Sequence, residues 1–332
     1  MEQILYLLAR ALVASMQALP LTWVARLGRA GGAVAFLVDA RHRRVALANL
    51  SMCFGQEKSP REIRELAREN FRRIGENYAC AIKTAAMSLD ELRPHVQFVP
   101  QSLASLAAIP QPPSVVVAIG HFGNFELYAR FGQFVTGYQC VTTYRGLRQP
   151  LLNDLLQSLR ERSGCRFFER RFEAAALKIT MNQPGILLGL LADQHSGQGG
   201  LRLPFLGHDC GTSAAPAIFA LRYRCPLYTG ICYRVGLAQW RLEAGEPIPT
   251  HENGHARSTT DIMRDINRAF EAAVRRDPAN WFWVHNRWKL IKARDAAIDP
   301  SRMRRSPEPE ARNQASEIKG KGSTADSPMT EH

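Results

Sequence analysis

The alternation of short β-prone runs with helix-length segments constrains the fold of this chain more than any other feature. From residue 114 onward, SVVVAI (114–119), YQCVTTY (138–144), CRFF (165–168) and GILLGLL (185–191) are separated by stretches of helical length. Strands that alternate with helices imply a mostly parallel sheet covered by helices, an α/β architecture. LRLPFLG (201–207) and PLYTGICYRV (226–235) read as further strands with a helix at about 213–223 between them. RSTTDIMRDINRAFEAAVRRDP (257–278) reads as a closing amphipathic helix. Ahead of the sheet, Ser59 as N-cap, Pro60 at the first helical position, and Ile63, Leu66, Phe71 and Ile74 at helical spacing predict a helix over 60–86.

The N-terminal run ILYLLARALVASMQAL (4–19) is strongly apolar, but at about 16 residues and broken by Arg10 it falls short of the roughly 20 that span hydrocarbon. Glu2 precedes it and no small-residue cleavage site follows, so removal as a secretory signal is not expected. A second run, GGAVAFLV (31–38), follows Arg26 and Arg29 and leads into RHRR (41–44). Together they read as an interfacial membrane anchor with basic flanks facing the cytoplasm, or else as two core-facing helices. The expected organisation is a membrane-associating helical N-terminus over 1–55, an α/β domain over 56–298 and a disordered, polar tail over 299–332.

A composition of 45% hydrophobic and 22% charged residues is that of a globular protein and excludes collagen-like, wholly disordered or polytopic membrane chains. Forty-three Lys and Arg against 30 Asp and Glu leave a net charge of +13, which attracts nucleic acid, anionic membrane or acidic protein. No RNP, helix-turn-helix or zinc-finger pattern accompanies that charge, so nucleic acid is not an expected partner. The 7 Cys form no CxxC pair and no Cys/His cluster at zinc-ligand spacing, which suits buried thiols in a reduced compartment and no metal.

The sharpest local feature is GHFGNFEL (120–127), which follows directly on the strand SVVVAI and opens a helix. His121 sits on the loop and Glu126 in the first helical turns, so the carboxylate can turn back to one imidazole nitrogen and leave the other as a base for a hydroxyl nucleophile. Gly120 and Gly123 would permit close substrate approach. With 9 His and 30 acids in 332 positions, chance supplies about one such spacing, so the strand-to-helix context carries the signal, and a structural histidine is the alternative.

Together with four further stretches in the same order, these residues resemble the lipid A biosynthesis (late) acyltransferases of the lysophospholipid acyltransferase superfamily. The stretches are YRGLRQPLLNDLLQSLRERSG (144–164), FFERR (167–171), LLADQHSG with LRLPFLG (190–207), and WFWVHNRWK (281–289), and the family-like part runs from about 20 to 292. The resemblance implies a helix-covered, mostly parallel sheet of the glycerolipid/lysophospholipid acyltransferase type. It also implies an enzyme that transfers a fatty acyl chain from acyl carrier protein to a hydroxyl of a lipid A precursor in lipopolysaccharide biosynthesis. That enzyme would work on the cytoplasmic face of the inner membrane without metal or dissociable cofactor. His121 would be the general base and Glu126 its orienting partner; Arg170 and Asp193 would be further polar site residues, with Arg145, Asn124 and Gln194 as candidate substrate-binding residues. The sequence departs from the family at Gln149-Pro150, where NP is usual, and at His285-Asn286-Arg287, where HRR is common. These departures bear on the acceptor, for which a lysophospholipid, an ornithine lipid or another glycolipid is the alternative. A catalytically inactive membrane scaffold, or a basic nucleic-acid-binding protein suggested by net charge alone, is the alternative of a different class.

The residues themselves agree in kind. Arg145, Arg148, Arg170 and Arg171 form a basic set suited to phosphorylated headgroups, or simply a solvated basic face. Asp193 follows an apolar run and should emerge at a strand's carboxyl end, where α/β sheets build sites; a structural cap is the other reading. Trp281 and Trp283 could be interfacial anchors or core. The absence of a GxSxG elbow argues against a serine acyl-enzyme.

Overall fold

A computed structural model describes residues 2–99, 109, 112–134, 137–197 and 199–289. The tail expected over 299–332 lies outside the described residues. Residues Met1–Lys292 form one compact unit.

Five helices come first: α1 (Glu2–Ala18), α2 (Leu21–Val38), α3 (Ala40–Phe54), α4 (Pro60–Ala86) and the short α5 (Leu89–Leu92). The α4 N-terminus is closed by a capping box in which Ser59 and Glu62 bond each other's backbone N–H, with Pro60 in the first turn, as its sequence predicts. Strand β1 (Val96–Val99) and strand β2 (Val115–Ile119) follow, then a 3-10 segment (Phe125–Gln133), β3 (Gln139–Tyr144), α6 (Pro150–Glu161), β4 (Arg166–Glu169), α7 (Ala174–Thr180) and β5 (Ile186–Leu191). The hairpin β6 (Leu201–Phe205) and β7 (His208–Thr212), α8 (Ala215–Tyr223), β8 (Leu227–Gly236) and β9 (Gln239–Ala244) lead through a small hairpin, β10 (His251–Glu252) and β11 (His255–Ala256), to α9 (Thr259–Arg276).

Seven strands form the main sheet in the order β1-β9-β8-β2-β5-β3-β4. Every pairing is parallel except β8 with β9. All five residues of β2 are buried, which is why its sequence is continuously apolar. Val116 and Ala118 pack into the core on one face with Leu188, while Val115, Val117 and Ile119 pack on the other with Leu187 and Tyr228. LRLPFLG is indeed a strand, yet it pairs only with β7 and stays outside this sheet. Its alternating burial suits a hairpin with one covered face.

The chain runs from β2 to β3 past β5, and from β5 to β8 past β2. The connections leaving these two central neighbours run in opposite directions and, as right-handed crossovers, lie on opposite faces of the sheet, which opens a crevice at their carboxyl ends.

The N-terminal helices split in behaviour. No residue of α1 is buried, and Ile4, Leu5, Leu7, Leu8 and Leu12 are exposed. One face of α2 packs on α4, where Gly28 and Gly32 meet Gly75. A Cβ at Gly32 would lie 2.1 Å from the Phe71 carbonyl oxygen, and one at Gly75 would lie 2.1 Å from that of Gly28, so only glycine allows the approach. The opposite face of α2 exposes Trp23, Leu27, Val34, Leu37 and Val38. By length and composition alone α2 is long and apolar enough to cross a membrane. Arg43 of the RHRR run turns back to donate to the Phe36 and Leu37 carbonyls at the C-terminus of α2.

Candidate active site

His121 and Asp193 meet because of strand register. Ile119 at the end of β2 pairs with Leu191 at the end of β5, so residues two positions further on emerge side by side from neighbouring strands. His121 Nδ1 lies 2.7 Å from Asp193 Oδ1. The other carboxylate oxygen, Oδ2, accepts the His121 backbone N–H at 2.7 Å and the Trp281 indole N–H at 2.8 Å. Asp193 is buried. Burial works against its ionisation, but the His121 charge, two hydrogen bonds from His121 and the indole N–H outweigh it and hold the carboxyl below its ordinary value. With Nδ1 committed, Nε2 is the nitrogen left to exchange a proton.

Glycines make the loop possible. Gly123 adopts φ +51°, and a Cβ there would sit 2.5 Å from the Cys232 carbonyl oxygen. Its N–H donates to the Asn280 carbonyl at 3.1 Å, tying the loop to the segment that carries Trp281. Three asparagines fasten that segment. Asn49 of α3 donates to the Trp283 and His285 carbonyls, Asn70 of α4 to those of Ala279 and Trp281, and Asn280 to that of Cys232. Trp281, Trp283 and Trp288 are core residues with mutual ring contacts, so the interfacial-anchor reading of WFWVHNRWK does not describe them.

Glu126 is not on the imidazole. Its Oε1 accepts from Arg160 Nη2 at 2.7 Å and its Oε2 from Arg160 Nε at 3.3 Å. The expectation that Glu126 orients His121 is corrected on geometry. A 3-10 segment starting at Phe125 aims the Glu126 carboxylate at α6, while Asp193 already stands opposite His121 in register. Arg160 stacks over the Phe167 ring at 4.7 Å.

A cleft lined by Tyr78, His121, Asn124, Phe125, Glu126 and Phe282 opens at this point. The His121 ring meets Phe125 edge-on at 4.7 Å between centroids and Phe282 at 6.0 Å. Adjoining it, and sharing Tyr78, Ala81 and Glu126 as walls, is an apolar cavity of about 380 Å³ between α1, α4, the 3-10 segment and α6. Leu152, Leu155, Leu156 and Leu159 recur at helical spacing on α6, yet no residue of that helix is buried. Their apolar stripe lines the cavity instead of a core.

The other expected site residues divide. Asn124 is buried, lines the cleft and donates to Thr84 Oγ1 at 3.5 Å. Gln194 is half-buried, and its carbonyl accepts from Arg287 Nη1 at 2.7 Å. Arg145 and Arg170 are exposed and do not line the cleft. They leave β3 and β4, two and three strands from β2, so the structure does not bring them to His121.

Sequence reasoning missed Arg160, Trp281, Phe282 and Arg287, though all lie in stretches already singled out. Arg287 is fully buried and also donates to the Gly211 carbonyl and to Thr212 Oγ1, which locks the turn after Asp193. The His195 N–H donates to His285 Nε2 at 2.9 Å, which requires a neutral imidazole there. Burial pushes His285 down to about 4.

All seven cysteines are free, and burial raises the thiol of Cys232, against Gly123, so a thiolate there is disfavoured. Among the described residues no group of three or more His, Cys, Asp or Glu is placed to hold a metal ion.

No curated protein matches the chain. The family model described as bacterial lipid A biosynthesis acyltransferase matches residues 2–290, nearly the whole described chain. The chain therefore belongs to the bacterial lipid A biosynthesis acyltransferase family.

Proposed function

We propose that this protein transfers a fatty acyl chain from an acyl carrier protein thioester to a hydroxyl of a lipid A precursor, with His121 as general base. The observation that carries this reading is the pairing of His121 with buried Asp193 in a cleft that adjoins a leucine-lined cavity. Asp193 keeps the Nδ1 proton in place and stabilises the imidazolium. Nε2 takes the proton of the acceptor hydroxyl, and the oxygen attacks the thioester carbonyl carbon. As the tetrahedral intermediate collapses, the C–S bond breaks and the imidazolium returns its proton to the departing thiolate. Arg160, held by Glu126 where cleft and cavity share a wall, fixes the shape of the passage between them. Asn124 and Gln194 would contact the acceptor. The exposed apolar faces of α1 and α2 would attach the enzyme to the cytoplasmic face of the inner membrane.

The test is mass spectrometry of products formed by detergent-solubilised wild type and His121→Ala, given acyl carrier protein thioesters and a panel of lipid A precursors and lysolipids. The expected result is a gain of one acyl group on a glucosamine lipid, reduced by about 10³- to 10⁴-fold in the variant. Transfer to a lysolipid alone would overturn the acceptor. A stable acyl adduct on a Ser or Cys would overturn direct attack, and no transfer to any acceptor would sink the reading.

A further inference from the structure

We propose that the loops leaving β3 and β4 form a docking platform for an acidic protein surface, that of the carrier bearing the acyl thioester. The proposal rests on the donor reading given above. Glu169, at the end of β4 and buried, joins the two loops into one unit. Its Oε1 accepts the Gly146 N–H at 3.2 Å, and its Oε2 accepts those of Arg171 at 2.6 Å and Phe172 at 3.2 Å. The Arg170 N–H donates to the Tyr144 carbonyl at 3.0 Å, a second tie between the loops. The Glu169 carboxylate is held inward by these donors, and the positive charge of Arg171 nearby helps keep it ionised.

Arg145, Arg148, Arg170 and Arg171 are all exposed on this unit. None of the four guanidinium groups makes an ion pair among the described residues, whereas Arg29, Arg73, Arg160, Arg234 and Arg276 all do. The segments RGLRQ (145–149) and RFFERRFE (166–173) together hold five Arg against two Glu. Among them stands Phe172 at 83% exposure, the highest of the exposed large hydrophobic side chains. An exposed aromatic on a unit with four exposed arginines has the side-chain types of a protein-interface hot spot, and the excess positive charge suits an acidic partner.

Position selects the partner. Leu147, between Arg145 and Arg148, also lines the apolar cavity, so the platform borders the space proposed for the chain. Yet β4 lies three strands from β2, at roughly 4.8 Å per strand about 14 Å from His121. A small ligand reacting at His121 cannot rest on a platform so far away. A carrier protein can, because its thioester rides on a flexible arm that crosses the gap.

The experiment compares Arg148→Glu/Arg171→Glu with wild type on two donors, the acyl carrier protein thioester and the same chain as a pantetheine thioester. The expected result is a rise of about tenfold or more in KM for the carrier-borne donor at retained kcat, with KM for the pantetheine donor changed less than about twofold. Salt should raise the wild-type KM for the carrier and leave the variant's nearly flat. The charge-retaining Arg148→Lys/Arg171→Lys should stay within about threefold of wild type, which separates lost charge from lost fold. Equal impairment on both donors, or none on either, overturns the proposal. So does unchanged carrier KM with lost binding to phosphatidylglycerol vesicles, which would assign the platform to the membrane. Failure of wild type to use either donor would instead bring down the donor reading itself.

Discussion

Two side-chain pairs stand within one cleft region and are built to opposite specifications. His121–Asp193 joins the ends of two central strands, with Asp193 fully enclosed and three donors converging on its carboxylate. Glu126–Arg160 joins a 3-10 segment to α6, with side chains 30% and 16% exposed. Strand ends in register admit one geometry, whereas a segment-to-helix contact can adjust. A proton-transfer pair needs fixed geometry, while a wall between two pockets tolerates movement, so the two pairs should respond very differently to substitution.

Asp193→Asn should cost the most. It keeps the shape but cannot hold the Nδ1 proton as a carboxylate does, and kcat should fall by about 10³-fold with little change in KM. Trp281→Phe leaves the carboxylate with one donor fewer in the core; kcat should fall about tenfold and the melting temperature should drop, as for a lost buried hydrogen bond worth roughly 1–3 kcal/mol. Glu126→Gln should lower kcat/KM by less than about tenfold. If it matched Asp193→Asn, the contrast between the pairs would collapse and Glu126 would regain the role first read from its spacing.

A last effect bears on stability against pH and not on catalysis. Unfolded His285 titrates near 6.5 and the folded residue near 4, so the unfolded chain gains the proton first as pH falls. The stability that neutral His285 contributes is complete above about 6.5, is lost between 6.5 and about 4, and levels off below. Asp193, depressed in the fold, adds a further loss only at lower pH. Melting temperatures across this range should show the first slope in wild type and a flatter curve in His285→Gln.

What the sequence disclosed follows the range of the interactions involved. The strand before GHFG, the capped α4 and the closing helix depend on neighbours a few residues away, and their patterns were legible. The partner of His121 was not, because Asp193 is 72 residues distant and reaches it through a strand pairing that no local spacing encodes. His-to-Glu spacing suggested a return contact that a regular helix would allow, and the 3-10 turn removed it. Arg170 was drawn into the site by motif order, whereas strand order places it three strands away. β1 escaped notice because a run of four residues is too short to stand out, and β9 because only half of QWRLEA is apolar.

The glycine seam between α2 and α4 reaches beyond packing. At 27 residues α4 is a shaft about 40 Å long, and Tyr78 of the cleft stands on it one turn from Gly75. Because backbone touches backbone at Gly28, Gly32 and Gly75, α2 cannot roll on that shaft without driving a side chain into a carbonyl. The outward apolar face of α2 and the opening of the cleft are therefore set at a fixed angle, as a keel is to a hull. Whatever surface α2 rests on dictates the direction from which substrate meets His121.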